Sequence, residues 1–288
     1  ISLGLVGSEM CIRDRCWIPC SEGLHLLCHD LLPDRGNDQP ARPPLIPCPC
    51  PMNHLWLCPM IGLLLGSIPF GLLLGKLKGI DIREHGSGNI GATNVWRVLG
   101  KGLGLPCFVL DVAKGAVPTL LALSLIQYGS APAQMAIKAL LPYASHHEMI
   151  LAQSVQVLTG LCAILGHNYS PWVRFKGGKG IATSAGVLLA LMPFAVLILI
   201  LLWMLLFWIT RYVSVASIAA AVALPILNLW GIIHHRKWAD GTWNRPLMTF
   251  SVVISVLAIY KHRSNIARLR AGTENRFDRG SSSKTTSA

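Results

Sequence analysis

Charge is what this chain lacks. Only 13% of its 288 residues are charged, against 52% hydrophobic, and the mean hydropathy is +0.51. Soluble domains carry about 25% charged residues, so the composition excludes an ordinary soluble globule and places most of the chain in lipid. Acids are scarcer still: 13 Asp and Glu stand against 25 Lys and Arg, a formal net charge of +12. In a soluble protein that excess would point to nucleic acid. Here the basic residues lie in short segments between apolar runs, which points to anionic membrane lipids and phosphorylated substrates and sets nucleic acid aside as a partner.

Other absences narrow the chemistry. All of the nine cysteines except Cys107 and Cys162 fall within the first 58 residues, with no paired CxxC spacing, so no metal site is expected. No Ser–His–Asp triad is identifiable and no cysteine lies in a polar motif, which disfavours a covalent acyl-enzyme. The GxxxxGK[ST] spacing of a nucleotide-hydrolysing phosphate loop is missing. The basic start, apolar run and small-residue cleavage site of a signal peptide do not occur in that order.

Residues 1–51 differ from the rest. Pro33, Pro40, Pro43, Pro44, Pro47, Pro49 and Pro51 interrupt any element there, and the stretch from Ser2 to Arg15 resembles translated adaptor sequence. The expectation is a non-native or disordered leader, a native start at Met52 or Met60, a polytopic membrane domain over 52–276 and a disordered tail over 277–288.

A membrane-crossing helix needs about 20 apolar residues. Such runs cover Leu55–Gly75, Pro106–Gln127, Met149–Asn168 and Tyr212–Gly231, with a shorter one at Pro246–Tyr260. From Gly180 to Thr210 no residue is charged; as one helix this stretch would extend about 46 Å, long for one span and short for two. Pro193 sits near its middle, where proline breaks or kinks a helix. Charge decides the count. Residues 76–104, residues 169–179 and the tail after Tyr260 are rich in Lys and Arg, and the positive-inside tendency puts them on one side. That parity requires a split at Pro193. The expected fold is all-α, with about seven transmembrane helices, the N-terminus outside and the C-terminus cytoplasmic.

Three polar constellations then share one face. The first is Gly86-Ser-Gly-Asn-Ile-Gly-Ala-Thr-Asn-Val-Trp-Arg97. Its glycines let backbone N–H groups converge; Ser87, Asn89, Thr93 and Asn94 add side-chain donors, and Arg97 can fork onto two phosphate oxygens. Taken alone, such a loop is more often a plain turn. The second is Phe175-Lys-Gly-Gly-Lys-Gly-Ile-Ala-Thr183, where Lys176, Gly177, Gly178 and Lys179 precede a helix start and together make an anion site. The two lysines also fit ordinary cytoplasmic anchors. The third, Lys261 to Glu274, places His262, Asn265 and Arg268 on one helical face; the bland reading is a basic juxtamembrane helix holding lipid. Asp111 and Lys114, three apart inside an apolar run, read as a paired support for the first loop rather than as catalysts. His167 reads as a helix-end histidine, with a place in the site as the less favoured alternative.

In this order, with Gly66-Ser-Ile-Pro-Phe-Gly71 ahead of the first and Asp111-Val-Ala-Lys-Gly115 between the first and second, these motifs resemble the PlsY-type acyl-phosphate:glycerol-3-phosphate acyltransferases over about residues 55–276. The resemblance implies a seven-helix protein of the bacterial inner membrane with its active site facing the cytoplasm. It implies transfer of a fatty acyl group from long-chain acyl phosphate to the sn-1 hydroxyl of glycerol 3-phosphate, giving lysophosphatidic acid and phosphate, the first committed step of phospholipid synthesis. No cofactor is implied, and transient contact with the acyl-phosphate-producing enzyme is expected. On the same resemblance, Ser87 and Arg97 act at the reacting centre, Lys176 to Lys179 hold phosphate, and His262, Asn265 and Arg268 complete the pocket. The alternative is a membrane transporter of phosphorylated anions, which would line both faces or the midplane with polar groups. A non-catalytic scaffold holding lipid would leave Asp111, Lys114 and the glycine loops unexplained.

Overall fold

The computed structural model describes residues 56–125, 146–235, 237 and 244–277. The expected leader over 1–51, most of the loop 128–148, residues 236 and 238–243 of the loop 232–245, and the tail beyond Phe277 lie outside the described residues. All described residues belong to one compact unit, Pro49–Ala288.

Among the described residues ten α-helices follow in order: α1 Leu57–Ser67, α2 Phe70–Leu77, α3 Ala92–Leu99, α4 Lys101–Leu125, α5 His146–Asn168, α6 Ile181–Leu191, α7 Pro193–Thr210, α8 Val213–His234, α9 Arg245–Lys261 and α10 Arg263–Arg270. Among the described residues, five stretches are long and apolar enough to cross a membrane: Leu57–Leu77, Lys101–Leu125, Ile150–Val173, Pro193–Thr210 and Val213–His234. One further apolar helix among the described residues is shorter, α6 with 11 residues, and α9 has 17 residues. The uncharged run from Gly180 divides where its proline predicts. Met192 leaves helical geometry at φ −143°, ψ 61°, and Pro193, which has no N–H to satisfy, opens the next helix.

The first apolar run, by contrast, is not one helix. It breaks at Ile68–Pro69, where Ile68 is extended at φ −61°, ψ 118°. Backbone carbonyls freed in lipid must find donors inside the protein. The Lys114 ammonium donates to the Ile68 carbonyl at 2.8 Å. The Ser170 hydroxyl donates to the Ser67 carbonyl at 2.6 Å, and the Trp172 indole N–H to the Ser67 hydroxyl at 3.0 Å. Lys114 is in turn neutralised by Asp111 at 2.7 Å, both side chains being 3% exposed or less. The intramembrane pair therefore props the broken span that leads into the first polar loop, which is the supporting role its spacing suggested.

Helices approach closely through small residues. Gly62 and Gly66 of α1 lie against the Thr159 and Ala163 carbonyls of α5, the close-contact packing that drives helix association where water-driven burial is absent. Gly115 of α4 and Gly186 of α6 abut the Thr183 and Val112 carbonyls in the same way. Between α8 and α9 a side chain supplies the tie: the Ser255 hydroxyl donates to the Ala221 carbonyl at 2.6 Å.

A methyl added at Gly66 would come within 2.7 Å of Ala163 Cα. Gly66→Val must therefore force α1 from α5, and overpacking of this kind costs about 1–3 kcal/mol. Thermal unfolding of the detergent-purified protein checks this: the variant should melt below the parent, whereas Gly102→Ala, which meets nothing within 4 Å, should not.

Candidate functional site

The first loop is built on a small apolar floor. Ile82, Ile90 and Val95 are fully buried with Leu72 and Cys107, and Gly71 of α2 sits directly on the Ile90 carbonyl. Over this floor Asn94 acts as an internal brace. Its amide NH2 donates to the Ile82 and His85 carbonyls at 3.2 and 3.0 Å, and its oxygen accepts from the Ser87 N–H at 2.8 Å. Asn94 is buried and both of its donors are committed to the loop. Gly86 and Gly88 take φ values of 62° and 67°, the left-handed region, which only glycine enters cheaply. Asn89 accepts from the Gly91 N–H at 2.8 Å just before α3 begins. Ser87 is half-buried, Thr93 is exposed on the first turn of α3, and Arg97 lies in its last turn.

The second loop leaves α5 through a short turn, Pro171–Val173, and then two residues in left-handed geometry, Arg174 and Phe175 at φ 53° and 61°. The Gly178 N–H donates to the His167 carbonyl at 3.1 Å, folding the Gly177–Gly178 turn back onto the end of α5. Gly180, at φ 79°, starts α6, and no side chain caps that helix. Its first N–H groups therefore lack the side-chain oxygen that usually satisfies them, as an anion-receiving helix end requires.

The third segment is the α9–α10 junction. The Lys179 ammonium donates to the Asn265 side-chain oxygen, Oδ1, at 2.6 Å, linking the second loop to the third segment. The Asn265 NH2 donates to Glu274 at 2.6 Å and Arg268 donates to the other Glu274 oxygen at 2.8 Å. Arg97 stacks its guanidinium on Phe277 at 5.1 Å, and Phe277 is fixed by its N–H to the Arg211 carbonyl at 3.0 Å. The first residue of the expected tail thus packs against the first loop's arginine.

A cavity of about 410 Å³ lies where the three segments meet. Its wall takes Gly88 and Asn89 from the first loop, Phe175 to Lys179 from the second, and Tyr260, Lys261, Arg263 and Ser264 from the third, with Tyr169 beside them. Of the residues singled out from sequence, Asn89, Lys176, Gly177, Gly178 and Lys179 form the wall directly. Ser87 adjoins it, while Asn265, Arg268, Arg97 and His262 connect to it through Lys179 and Glu274. Sequence reasoning left out Tyr169 and Tyr260, and it gave Lys261 and Glu274, the two ends of the third constellation, no role of their own. Glu274 carried a signal as a lone acid among the bases of Lys261–Arg276, and the two tyrosines carried none.

The electrostatics are lopsided. Lys179, Arg97 and Arg268 crowd one carboxylate, Glu274, and Lys176, Lys261 and Arg263 add cations on the cavity wall. Burial lowers the Lys179 ammonium to about 8, helped by the positive charges of Arg268, Arg97 and Lys261 and opposed by Glu274. Burial also lowers Arg97. For Glu274 burial acts upward, but the hydrogen bonds from Asn265 and Arg268 outweigh it and hold the carboxyl below its usual range. His262 is pushed down to about 4, chiefly by burial, and its Nδ1 lies 2.7 Å from the Ala258 carbonyl, so the ring is neutral and Nδ1 donates. An imidazole that weakly basic is a poor general base at neutral pH. A surplus of partly desolvated cations beside glycine turns is an arrangement for binding phosphate.

The model of the glycerol-3-phosphate acyltransferase family matches residues 56–272. The chain belongs to the PlsY-type glycerol-3-phosphate acyltransferases. The acyltransferase is 43% identical over 218 residues to the glycerol-3-phosphate acyltransferase of Geotalea daltonii, covering 75% of this chain and 94% of the relative. It is 42% identical to that of Desulforudis audaxviator over 229 residues, covering 78% and 98%. Among solved structures it resembles PlsY, an integral membrane glycerol 3-phosphate acyltransferase, in its glycerol 3-phosphate form, with TM-score 0.62 and 37% identity over 78% of this chain and 96% of that one. The lysophosphatidic acid form of PlsY matches with TM-score 0.60 and 36% identity, at the same coverage. The acyltransferase is accordingly a multi-pass membrane protein, and the family supports acyl transfer to glycerol 3-phosphate rather than export of phosphorylated anions.

Because Lys179 holds a proton below about pH 8 and loses it above, its grip on a phosphate weakens as pH rises through that value. Steady-state kcat/KM for the phosphorylated acceptor, which reports the free enzyme, should fall on the alkaline side of about 8. Lys179→Arg should remove that limb, since a guanidinium stays protonated throughout. An unchanged limb in the arginine variant would assign the titration to another group.

Proposed function

We propose that the chain transfers a fatty acyl group from acyl phosphate to the sn-1 hydroxyl of glycerol 3-phosphate at the cytoplasmic side of a bacterial inner membrane. The observation that carries this reading is the convergence of the three segments on one cation-rich cavity, together with the family's name for the acceptor. Seven spans, the short α6 and α9 included, put the N-terminus outside and bring all three segments to one face, as the distribution of Lys and Arg favours.

Acyl phosphate is a mixed anhydride, so its leaving group is already good. The protein has to bring the hydroxyl to the carbonyl and meet the charge. The acceptor oxygen bonds to the carbonyl carbon, the bond from that carbon to the phosphate oxygen breaks, and the hydroxyl proton passes to a phosphate oxygen. Two phosphorylated substrates bring several negative charges together. Arg97, Lys179 and Arg268 receive one phosphate, with Asn265 orienting Lys179; Lys176 and the Gly177–Gly178 turn receive the other, and Ser87 stands beside the reacting centre. Asn89 and Thr93 offer hydrogen bonds at the rim, and Asn94 holds the loop's shape. His262, neutral and turned toward its own helix, shapes the pocket rather than serving as base, so the proton acceptor is the substrate itself. The acyl chain lies along apolar helix surface. Contact with the enzyme that makes the acyl phosphate is transient.

Purified protein given glycerol 3-phosphate and palmitoyl phosphate should release inorganic phosphate and form lysophosphatidic acid, with acetyl phosphate a poor donor. Arg97→Ala and Lys176→Ala should each cost about 10²-fold or more in turnover, the scale of losing one charge-stabilising donor, while both variants remain folded in membranes. Wild-type turnover in either would remove that residue from the site, and an acyl group trapped on Ser87 with donor alone would replace direct transfer by a covalent route.

A further inference from the structure

We propose that His167 is a positioning residue whose ring forms the seat of the Gly177–Gly178 turn; this rests on the acyltransferase reading above. His167 lies on α5, outside the three polar segments, and is only 4% exposed. Its carbonyl takes the Gly178 N–H at 3.1 Å. A methyl built on Gly178 would run into the imidazole, with His167 Cε1 at 2.7 Å and Cδ2 at 3.0 Å, so the turn lies directly on the ring. The other edge of the ring faces the prop beneath the broken first span: His167 Nδ1 is 3.7 Å from the Asp111 oxygen that pairs with Lys114. The imidazole therefore stands between the support of the first loop and the floor of the second. It does not line the cavity, and it acts by fixing how far the Gly177–Gly178 backbone stands from a bound phosphate.

Complementary size tests this. Gly178→Ala should cost about 10²-fold in kcat/KM, the effect of an ångström-scale displacement. His167→Ala alone should raise KM for glycerol 3-phosphate or for the acyl phosphate more than it lowers kcat. Joined, His167→Ala should restore at least about tenfold of the Gly178→Ala loss, because the added methyl then has room. Gly177→Ala is the control, since its methyl meets the His167 backbone carbonyl and Asn168 backbone, which no side-chain truncation removes; His167→Ala should not rescue it. A merely structural histidine gives no such pair-specific rescue. If His167→Ala does not accumulate in membranes, His167→Ser makes the same space.

A double variant no more active than Gly178→Ala, or equal rescue of both glycines, overturns the proposal. So does wild-type activity in Gly178→Ala alone. The parent chain, assayed beside them with glycerol 3-phosphate and palmitoyl phosphate, separates the two claims. An inactive parent refutes the acyltransferase reading, and an active parent without pair-specific rescue refutes only the seat.

Discussion

A lysine ammonium on a freed carbonyl, inside the apolar layer, is the contact from which the rest of the acyltransferase follows. The first span has to break so that α2 can turn toward the first polar loop, and in lipid a broken helix is tolerable only if protein donors take up its stranded carbonyls. Lys114 does this for Ile68 while Asp111 balances its charge. Removing one partner of such a pair strands the other charge, which is far costlier than replacing both. Ser170 and Trp172 complete the seal from the segment that leads into the second loop. The break in one loop's support is thus closed by residues belonging to the other, and the two loops are fixed relative to each other before any substrate arrives.

On that support the site concentrates positive charge that the chain's few acids do not cancel. Glu274 is the one carboxylate among Lys179, Arg97 and Arg268, and its two oxygens are already taken by Asn265 and Arg268. Glu274 pairs directly with Arg268 and leaves the charges of Lys179 and Arg97 in excess, so the site is organised for anions in advance. Such preorganisation is worth more in a partly dry pocket than in water. The burial that lowers Lys179 to about 8 reflects the same tension: the ammonium keeps its proton at neutral pH in surroundings that weaken its charged form, and a bound phosphate would oppose that.

Much of this was legible in the residues. The apolar runs marked the five stretches that, among the described residues, are long and apolar enough to cross a membrane, and Pro193 marked the division of the longest run because a ring without an N–H can begin a helix but not continue one. The three polar constellations were visible because glycine, lysine and asparagine are conspicuous in so apolar a chain. The break at Ile68–Pro69 was not legible. Pro69 sits in a run whose composition suits one uninterrupted span, and the donors that make a break affordable come from residues distant in sequence. Nor could the sequence tell Asn94, whose donors are spent on loop carbonyls, from Asn89 on the cavity wall. Residue type announces hydrogen-bonding capacity; only the fold says which partner uses it. For the same reason Glu274 closed the third constellation without a role, and His167 read first as a helix end.

Single cysteines at Asn89, Lys176 and Ser264, one from each segment, placed in a cysteine-free chain, test the central claim that one pocket unites all three. With a membrane-impermeant maleimide, all three should label in inverted membrane vesicles and not in right-side-out ones. Glycerol 3-phosphate together with a non-transferable acyl phosphonate should protect each of them. Labelling of any one from the opposite face would separate the segments and contradict the account.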